Sequence, residues 1–183
     1  MDFMKTYTKC ENCIRLELLD ILFAGGNDMK VTSKGIENGI IRSEFGMYGT
    51  CFDSHHIPCY SLPFRIEDAP HETVSYAFVL EDKDAYPVTG FTWIHWIGAN
   101  LTRKEVYENE SLTASDFIQG ANSWISIQGN ELSIEQASFY GGMTPPDKSH
   151  MYELHVYALD QLLDLQNGFY LNELFHKMSG HIL

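Results

Sequence analysis

The chain has 183 residues, a length typical of one compact domain, and 44% of them are hydrophobic, which is enough for a continuous core. It carries 12 Lys and Arg against 25 Asp and Glu, and this net charge of −13 disfavours nucleic acid as a partner, although a neutral pocket lined with donors could still bind an anion. No run of 18 apolar residues predicts a membrane span, and residues 1–13 lack an apolar signal core, so we expect a cytoplasmic protein.

The cysteines raise the question of a metal site. Cys10-x-x-Cys13, together with Cys51 and Cys59 around two consecutive histidines, is a candidate zinc set. The second pair does not have the spacing of a common zinc knuckle, so free thiols are the preferred interpretation. In a cytoplasmic chain these thiols stay reduced, and neither a disulfide nor a metal nor another cofactor is expected.

The first 70 residues predict short elements. Residues 14–23 are apolar enough for a short helix or a buried strand, which Gly25-Gly26 would end. Residues 29–70 contain β-type pieces separated by turns, and Asn38-Gly39 is typical of a two-residue hairpin.

Three later strands and a helix are predicted from clearer periodicity. Residues 73–80 alternate with period two, and one face carries Val74, Tyr76, Phe78 and Leu80, with Asp82 in the same phase at the strand end. Residues 91–97 form a strand that is apolar on both faces, one of which carries Phe91, Trp93, His95 and Ile97. Residues 150–158 form a third strand, with one face made of His150, Tyr152, Leu154 and Val156.

The connections and the tail complete the predicted architecture. Residues 101–120 are polar and are predicted to form a loop. The tail is predicted to be a helix that ends near Gly180 and has one apolar side, made of Leu171, Leu174, Phe175 and Met178. Many short strands and one terminal helix favour a β-sandwich with minor helical additions.

Several ionisable groups fall on the apolar faces of these strands. They are Asp82, His95, His150 and Tyr152. Burying one such group without a partner costs a few kcal/mol, whereas a convergent set can satisfy its members and create a pocket. The alternative is that each histidine is a separately satisfied core residue, which is the commoner case for a single histidine.

A glycine- and proline-containing loop precedes the third strand. It runs from Tyr140 to Pro146, and its backbone amides near Gly142 are predicted to approach a ligand closely. Such amides, with two imidazoles that donate hydrogen bonds, suit phosphate oxygens. Anion binding is therefore expected to strengthen as the pH falls through about 6.5, the ordinary imidazole pKa.

The segments that carry these groups resemble the phosphatidylethanolamine-binding protein family, in particular its bacterial branch. The resemblance covers the strand at 75–85 with its Asp-x-Asp-Ala ending, the Trp-x-His strand at 93–96, the Asn-Ser-aromatic element at 122–124, the loop and strand at 140–152, and the Gly-His-aliphatic ending at 180–183. It implies an antiparallel Greek-key β-sandwich with a C-terminal helix, spanning residues 29–183.

The family's anion pocket would fall on six residues of this chain: Asp82, His95, Gly142, Pro145, His150 and Tyr152. The departures from the family pattern are at framing positions: Lys83, Tyr86, Met143 and Met151. Residues 125–139 resemble an insertion. The implied function is binding of a phosphate-bearing small molecule or phospholipid headgroup, with a regulatory role through a protein partner as an extension.

Two other functions are compatible with the same residues. One is an inhibitor of a kinase or protease that uses the pocket rim. The other is a weak hydrolase built on Asp82 and His95, although no Ser nucleophile elbow or metal-protease helix occurs, so an enzyme is not the preferred interpretation.

The first 28 residues precede the family-like region and are predicted to be an N-terminal extension. One hypothesis makes Met29 the physiological start and the extension dispensable. The other packs the apolar residues 14–23 on the sandwich or against a second subunit in a homodimer.

Overall fold

The structure, a computed structural model, describes residues 29–183 and the backbone of residues 15–17. This part of the chain is mainly β-structure. Its strands are β1 (Arg15–Glu17), β2 (Lys30–Thr32), β3 (Ile36–Glu37), β4 (Ile40–Ile41), β5 (Phe64–Glu67), β6 (Ser75–Asp82), β7 (Trp93–Leu101), β8 (Glu105–Val106), β9 (Ile118–Gly120) and β10 (Met151–Leu159). Its α-helices are α1 (Tyr86–Thr89), α2 (Ile134–Ala137) and α3 (Leu171–Met178). No helix in the described ranges is long and apolar enough to cross a membrane.

Two sheets form the sandwich. The larger has seven strands in the order β3-β4-β1-β10-β6-β7-β9, and the smaller has three in the order β2-β5-β8. The described pairings are antiparallel apart from that of β1 with β10. The predicted mainly β sandwich with a C-terminal helix is therefore confirmed.

The main core lies between the two sheets. Tyr76, Phe78 and Leu80 of β6 belong to the same apolar cluster as Phe64 and Ile66 of β5. The Phe78 ring meets those of Phe64 and Trp96 edge to face at 5.1 and 4.8 Å, an arrangement that aromatic quadrupoles favour. The alternation read from residues 73–80 is correct except for Val74, which precedes β6 and is exposed.

The predicted face of the second strand is wrong at Ile97. In the pairing of β6 with β7, Leu80 stands opposite Trp96 and Glu81 opposite Ile94, so His95 is an extra residue on β7. A β-bulge of this kind interrupts the two-residue period. Trp96 therefore joins the inter-sheet core, and Ile97 lies in the cluster on the other face of the sheet.

Helix α3 covers that other face. Leu174 and Met178 are fully buried against Val79 and Ile97, as the helical spacing predicts. Phe175 is 45% exposed, yet its ring contacts that of Tyr157 at 6.2 Å. The helix ends at Met178, shortly before Gly180.

The shorter predicted elements have mixed outcomes. Asn38-Gly39 does form the turn between β3 and β4, and both residues have positive φ angles, 52° and 75°. Residues 101–120, predicted as a loop, contain β8 and β9, which are too short to show a period. Most of the segment 14–23, as well as Cys10 and Cys13, lies outside the described residues, and the division at residue 28 stays a prediction.

Candidate functional site

One cavity of about 240 Å³ opens where β6 ends and where β7 and β10 begin. Five of the six residues predicted for the site line it: Asp82, His95, Pro145, His150 and Tyr152. The cavity wall also includes residues that sequence reasoning missed, among them Thr89, Trp93, Trp124, Gln128 and Thr144. That the five predicted residues bind a ligand stays a prediction.

Strand register brings the polar groups together. Asp82 at the end of β6 stands directly opposite Tyr152 on β10 and opposite Trp93 on β7. Side chains at opposed positions of neighbouring strands share one face at a separation of about 5 Å. The bulge at His95 adds a fourth group to that face, and its ring lies 5.2 Å from the Tyr152 ring.

A buried ion pair forms one side of the cavity. His150 Nδ1 donates to Asp82 Oδ2 at 2.7 Å, and His150 Nε2 donates to Asp147 Oδ1 at 2.8 Å. Burial lowers the pKa of His150, but its two carboxylate partners outweigh this and raise the pKa above 6.5. Burial also raises the pKa of Asp82, which its hydrogen bonds with His150 and the Ala85 amide offset only in part. Because each ring nitrogen faces a carboxylate oxygen, which can only accept, these contacts favour the imidazolium form of His150.

His95 has the opposite electrostatic character. Its Nδ1 donates to the carbonyl oxygen of Gly141 at 2.7 Å, which fixes the proton on that nitrogen. Burial lowers the pKa of His95 to about 4, so the ring is neutral at pH 7. Its Nε2 is then a hydrogen-bond acceptor, and the donor role predicted for this ring from the sequence is wrong.

Two buried donors in the cavity wall have no partner. Tyr152 Oη and Trp93 Nε1 make no hydrogen bond within the described part of the chain. The Tyr152 side chain is fully buried, and that of Trp93 is 9% exposed. An unsatisfied buried donor costs about 1–3 kcal/mol, and folded proteins contain few of them. The presence of two in one cavity wall is the feature of this site that most needs a functional explanation.

The predicted role of Gly142 is also wrong. Its amide N–H donates to Pro58 O at 2.7 Å, and that of Gly141 donates to His95 O at 2.9 Å. Gly142 packs against the Phe45 carbonyl and Pro58, so its small size serves a close backbone approach. The loop positions the cavity wall, and neither of these two amides is free to bind an anion.

Three of the four framing residues that depart from the family pattern have local partners. Met151 donates its amide N–H to Asp84 Oδ2 at 3.0 Å, and the buried Met143 sulfur accepts a hydrogen bond from Tyr140 Oη at 3.2 Å. Lys83 lies outside the cavity and forms ion pairs with Glu153 at 2.5 Å and Glu81 at 3.3 Å.

The described residues do not contain the predicted zinc set as a whole. Cys51 and Cys59 are adjacent, but Cys10 and Cys13 lie outside the described ranges. A different trio, Glu81, Glu153 and His155, has ligand atoms within 4.8 Å of one another. The ammonium group of Lys83 already forms ion pairs with both carboxylates of that trio.

Comparison with known sequences identifies relatives of this chain. A family model described as phosphatidylethanolamine-binding protein matches residues 32–183. The protein YxkA of Bacillus subtilis is 45% identical over 129 residues, which are 69% of this chain and 77% of that protein. A UPF0098 protein of Chlamydia trachomatis is 33% identical over 125 residues, which are 67% of this chain and 75% of that protein.

Solved structures give the same result for the fold. A crystal structure described as a phosphatidylethanolamine-binding protein homologue, CT736 of Chlamydia trachomatis, has a TM-score of 0.67 and 29% identity, covering 85% of this chain and 90% of that one. The structure of YbcL of Escherichia coli has a TM-score of 0.64 and 21% identity, covering 85% and 92% of the two chains. The second likeness is one of fold alone.

Proposed function

The chain belongs to the phosphatidylethanolamine-binding protein family, and on that premise we propose that its cavity binds a small phosphate-bearing molecule, either free or as a phospholipid headgroup. The observation that carries the proposal is the pair of unpartnered buried donors, Tyr152 Oη and Trp93 Nε1. A ligand oxygen that accepts from either donor would remove the desolvation penalty of leaving that donor without a partner.

The hydrogen-bonding groups of the cavity favour a protonated anion. Tyr152 and Trp93 offer donors, His150 offers positive charge, and the neutral His95 offers an acceptor at Nε2. A phosphate monoanion carries oxygens for the donors and a hydroxyl that donates to His95. Sulfate carries only acceptor oxygens, so it should bind less tightly at neutral pH.

Apolar surface beside the opening supports an organic phosphate. Val88 lines the cavity and is 47% exposed, and Ile127, next to the lining residue Gln128, is 81% exposed. An ester group attached to the phosphate could cover this surface and gain about 25 cal/mol for each Å² removed from water. A phosphate monoester keeps the hydroxyl for His95 and gains this apolar contact, so it should bind more tightly than inorganic phosphate. A phosphodiester headgroup gains the apolar contact but lacks the hydroxyl.

The hydrolase alternative loses its predicted catalytic pair, because Asp82 pairs with His150 and not with His95. The described residues of the cavity wall include two threonines and neither serine nor cysteine. Incubation with phosphate and carboxylate esters tests the hydrolase alternative, and partner capture tests the inhibitor alternative. A cytoplasmic location remains an extension of the proposal.

Calorimetry with two probes tests the proposal. Inorganic phosphate and glycerophosphoethanolamine are titrated at pH 7 into the full chain and into Tyr152→Phe. Loss of a hydrogen bond to a charged ligand should weaken binding by roughly 10- to 100-fold. Tyr157→Phe is the matched control, because Tyr157 lies on the opposite face of the sheet against α3.

Stability measurements separate a binding defect from a folding defect. Tyr152→Phe removes an unsatisfied hydroxyl, so the unliganded variant should unfold at the same temperature as the original chain or higher. If neither probe binds, or if Tyr152→Phe and Tyr157→Phe bind equally well, the proposal is wrong.

A further inference from the structure

Two cysteines face each other across a small hairpin next to the cavity. Residues 51–59 turn back on themselves, with Phe52 paired to Pro58 in an antiparallel bridge. The Cys59 amide N–H donates to Cys51 O at 3.1 Å, so the two cysteines form a hydrogen-bonded pair. Such pairs have a Cα separation of about 5.5 Å, which lies in the range that a disulfide spans. The two sulfur atoms are 3.0 Å apart.

We propose that Cys51 and Cys59 are a modification site at which a hydroperoxide produces an intramolecular disulfide that fixes the 51–59 hairpin. Both cysteines are free thiols in the structure. This site is independent of the ligand proposed for the cavity.

The two thiols differ in accessibility, which assigns the order of the steps. Cys51 is partly exposed, whereas Cys59 is buried and 5% exposed. Burial, followed by the contact with Cys51, raises the pKa of Cys59 to about 12, so its thiol is a poor nucleophile towards solvent oxidants. The first attack therefore belongs to Cys51.

With hydrogen peroxide as the hydroperoxide, the chemistry balances at one peroxide per disulfide. The Cys51 thiolate attacks the peroxide oxygen, the O–O bond breaks, and a sulfenic acid and hydroxide form. The Cys59 sulfur then attacks the Cys51 sulfur, the S–O bond breaks, and the Cys59 proton leaves with the hydroxide as water. Both thiols are oxidised and the peroxide is reduced to two molecules of water.

The hairpin packs against residues of the cavity wall. Ile57 belongs to the apolar cluster that contains the cavity residues Trp93 and Trp124. The carbonyl oxygen of Pro58 accepts a hydrogen bond from the amide N–H of Gly142, which lies in the same loop as the cavity residue Pro145. Because the sulfur atoms are already adjacent, the disulfide should close with little movement of these contacts. Its main effect should be on the unfolded chain, in which it closes a nine-residue loop.

The test uses a background in which Cys10→Ser and Cys13→Ser leave only this pair. Treatment with hydrogen peroxide should remove both free thiols and lower the mass by about 2 Da, with one cross-linked peptide in a non-reducing digest. The melting temperature should rise by about 5–10 °C, as for closure of a short loop in a chain of this size, and dithiothreitol should reverse the rise.

Single replacements provide the matched controls. In the same background, Cys51→Ser should leave the buried Cys59 thiol unreacted in the folded protein, and Cys59→Ser should let the Cys51 thiol proceed to the sulfinic acid, a gain of about 32 Da. If the two-thiol protein itself accumulates sulfinic acid without a cross-link, or keeps both thiols, the proposal is wrong. The two-thiol protein has no replacement within the hairpin, so its outcome can be read even if a single-cysteine variant fails to fold.

Discussion

Asp147 is the residue whose position has the largest consequence for ligand binding. Its carboxylate is 46% exposed and accepts from His150 Nε2, so a protein group already occupies the charged donor of the cavity. With Asp82 on the other nitrogen, the trio carries one positive and two negative charges. An anion that accepts a hydrogen bond from His150 Nε2 must first replace Asp147, so this carboxylate acts as an internal competitor.

Replacing Asp147 with Asn should increase the affinity for phosphate by about 3- to 10-fold, a modest gain because solvent screens a partly exposed carboxylate. The increase follows from the loss of a negative charge beside His150. Calorimetry measures the change against Asp160→Asn, which removes the same charge from an exposed pair with His181 that the cavity lining does not include. Equal affinities in the two variants would show that Asp147 does not compete.

The two imidazoles should produce separate steps in the pH dependence of sulfate binding. Its two carboxylate partners raise the pKa of His150 from the ordinary imidazole value, so its charge is lost only as the pH rises through that raised pKa. The pKa of His95 is lowered to about 4, so a second increase in affinity should occur only as the pH falls towards 4. Sulfate keeps its charge throughout, and calorimetry between about pH 4 and pH 9 spans both steps.

Variants assign these steps to the rings. His150→Gln should abolish the upper step, and His95→Gln the lower one. A single step at the ordinary imidazole value of about 6.5, which the sequence alone predicts, would contradict the assignment.

Alternation of apolar and polar residues predicted the three central strands but not their local register. The pattern identified β6 and β10 to within about two residues at each end, and β7 to within about four, because one face of each lies in a continuous core. The bulge at His95 leaves no periodic signal, since a single extra residue shifts the phase of everything after it. Trp93 was placed on the correct face, yet its unpartnered indole N–H could be recognised only from the packing around it.

A glycine in β7 allows the aromatic core to close. An added Cβ at Gly98 would lie 2.3 Å from the Phe78 ring. Gly98→Ala should therefore destabilise the protein by about 1–3 kcal/mol through overpacking, measured by urea unfolding. Adding Phe78→Leu should relieve the clash, so the double variant should lose less stability than the sum of the two single changes. Additive losses would mean that Phe78 is not the group that excludes a side chain at Gly98.

For the whole molecule, the sequence predicted which residues meet but not what each can donate or accept. Asp82, His95, His150 and Tyr152 do converge, because strand pairing follows from the hydrophobic pattern. The tautomer of His95 depends on a carbonyl 46 residues away at Gly141, and the raised pKa of His150 depends on Asp82 and on Asp147 in a loop. Roles of this kind are set by tertiary contacts that leave no pattern in the sequence.

The N-terminal segment joins the two parts of the larger sheet. Strand β1 pairs in parallel with β10, matching Leu16 to Tyr152, and its other edge pairs with β4 through Arg15 and Ile40. Without β1, the edge of β10 at the cavity would have unpaired backbone groups, and the β3–β4 hairpin would lose its connection to β10. These pairings favour the hypothesis that the segment packs on the domain.

Deleting residues 1–28 should therefore lower the melting temperature by about 5–10 °C, equivalent to about 2–3 kcal/mol for a chain of this size. The matched control is an initiator Met followed by residues 15–183, which keeps β1 and should melt close to the full chain. Because Tyr152 lies in the strand that β1 covers, the longer deletion should also weaken phosphate binding, whereas the shorter one should leave it unchanged. If residues 29–183 alone match the full chain in melting temperature and affinity, the segment is dispensable, and Met29 becomes the preferred start.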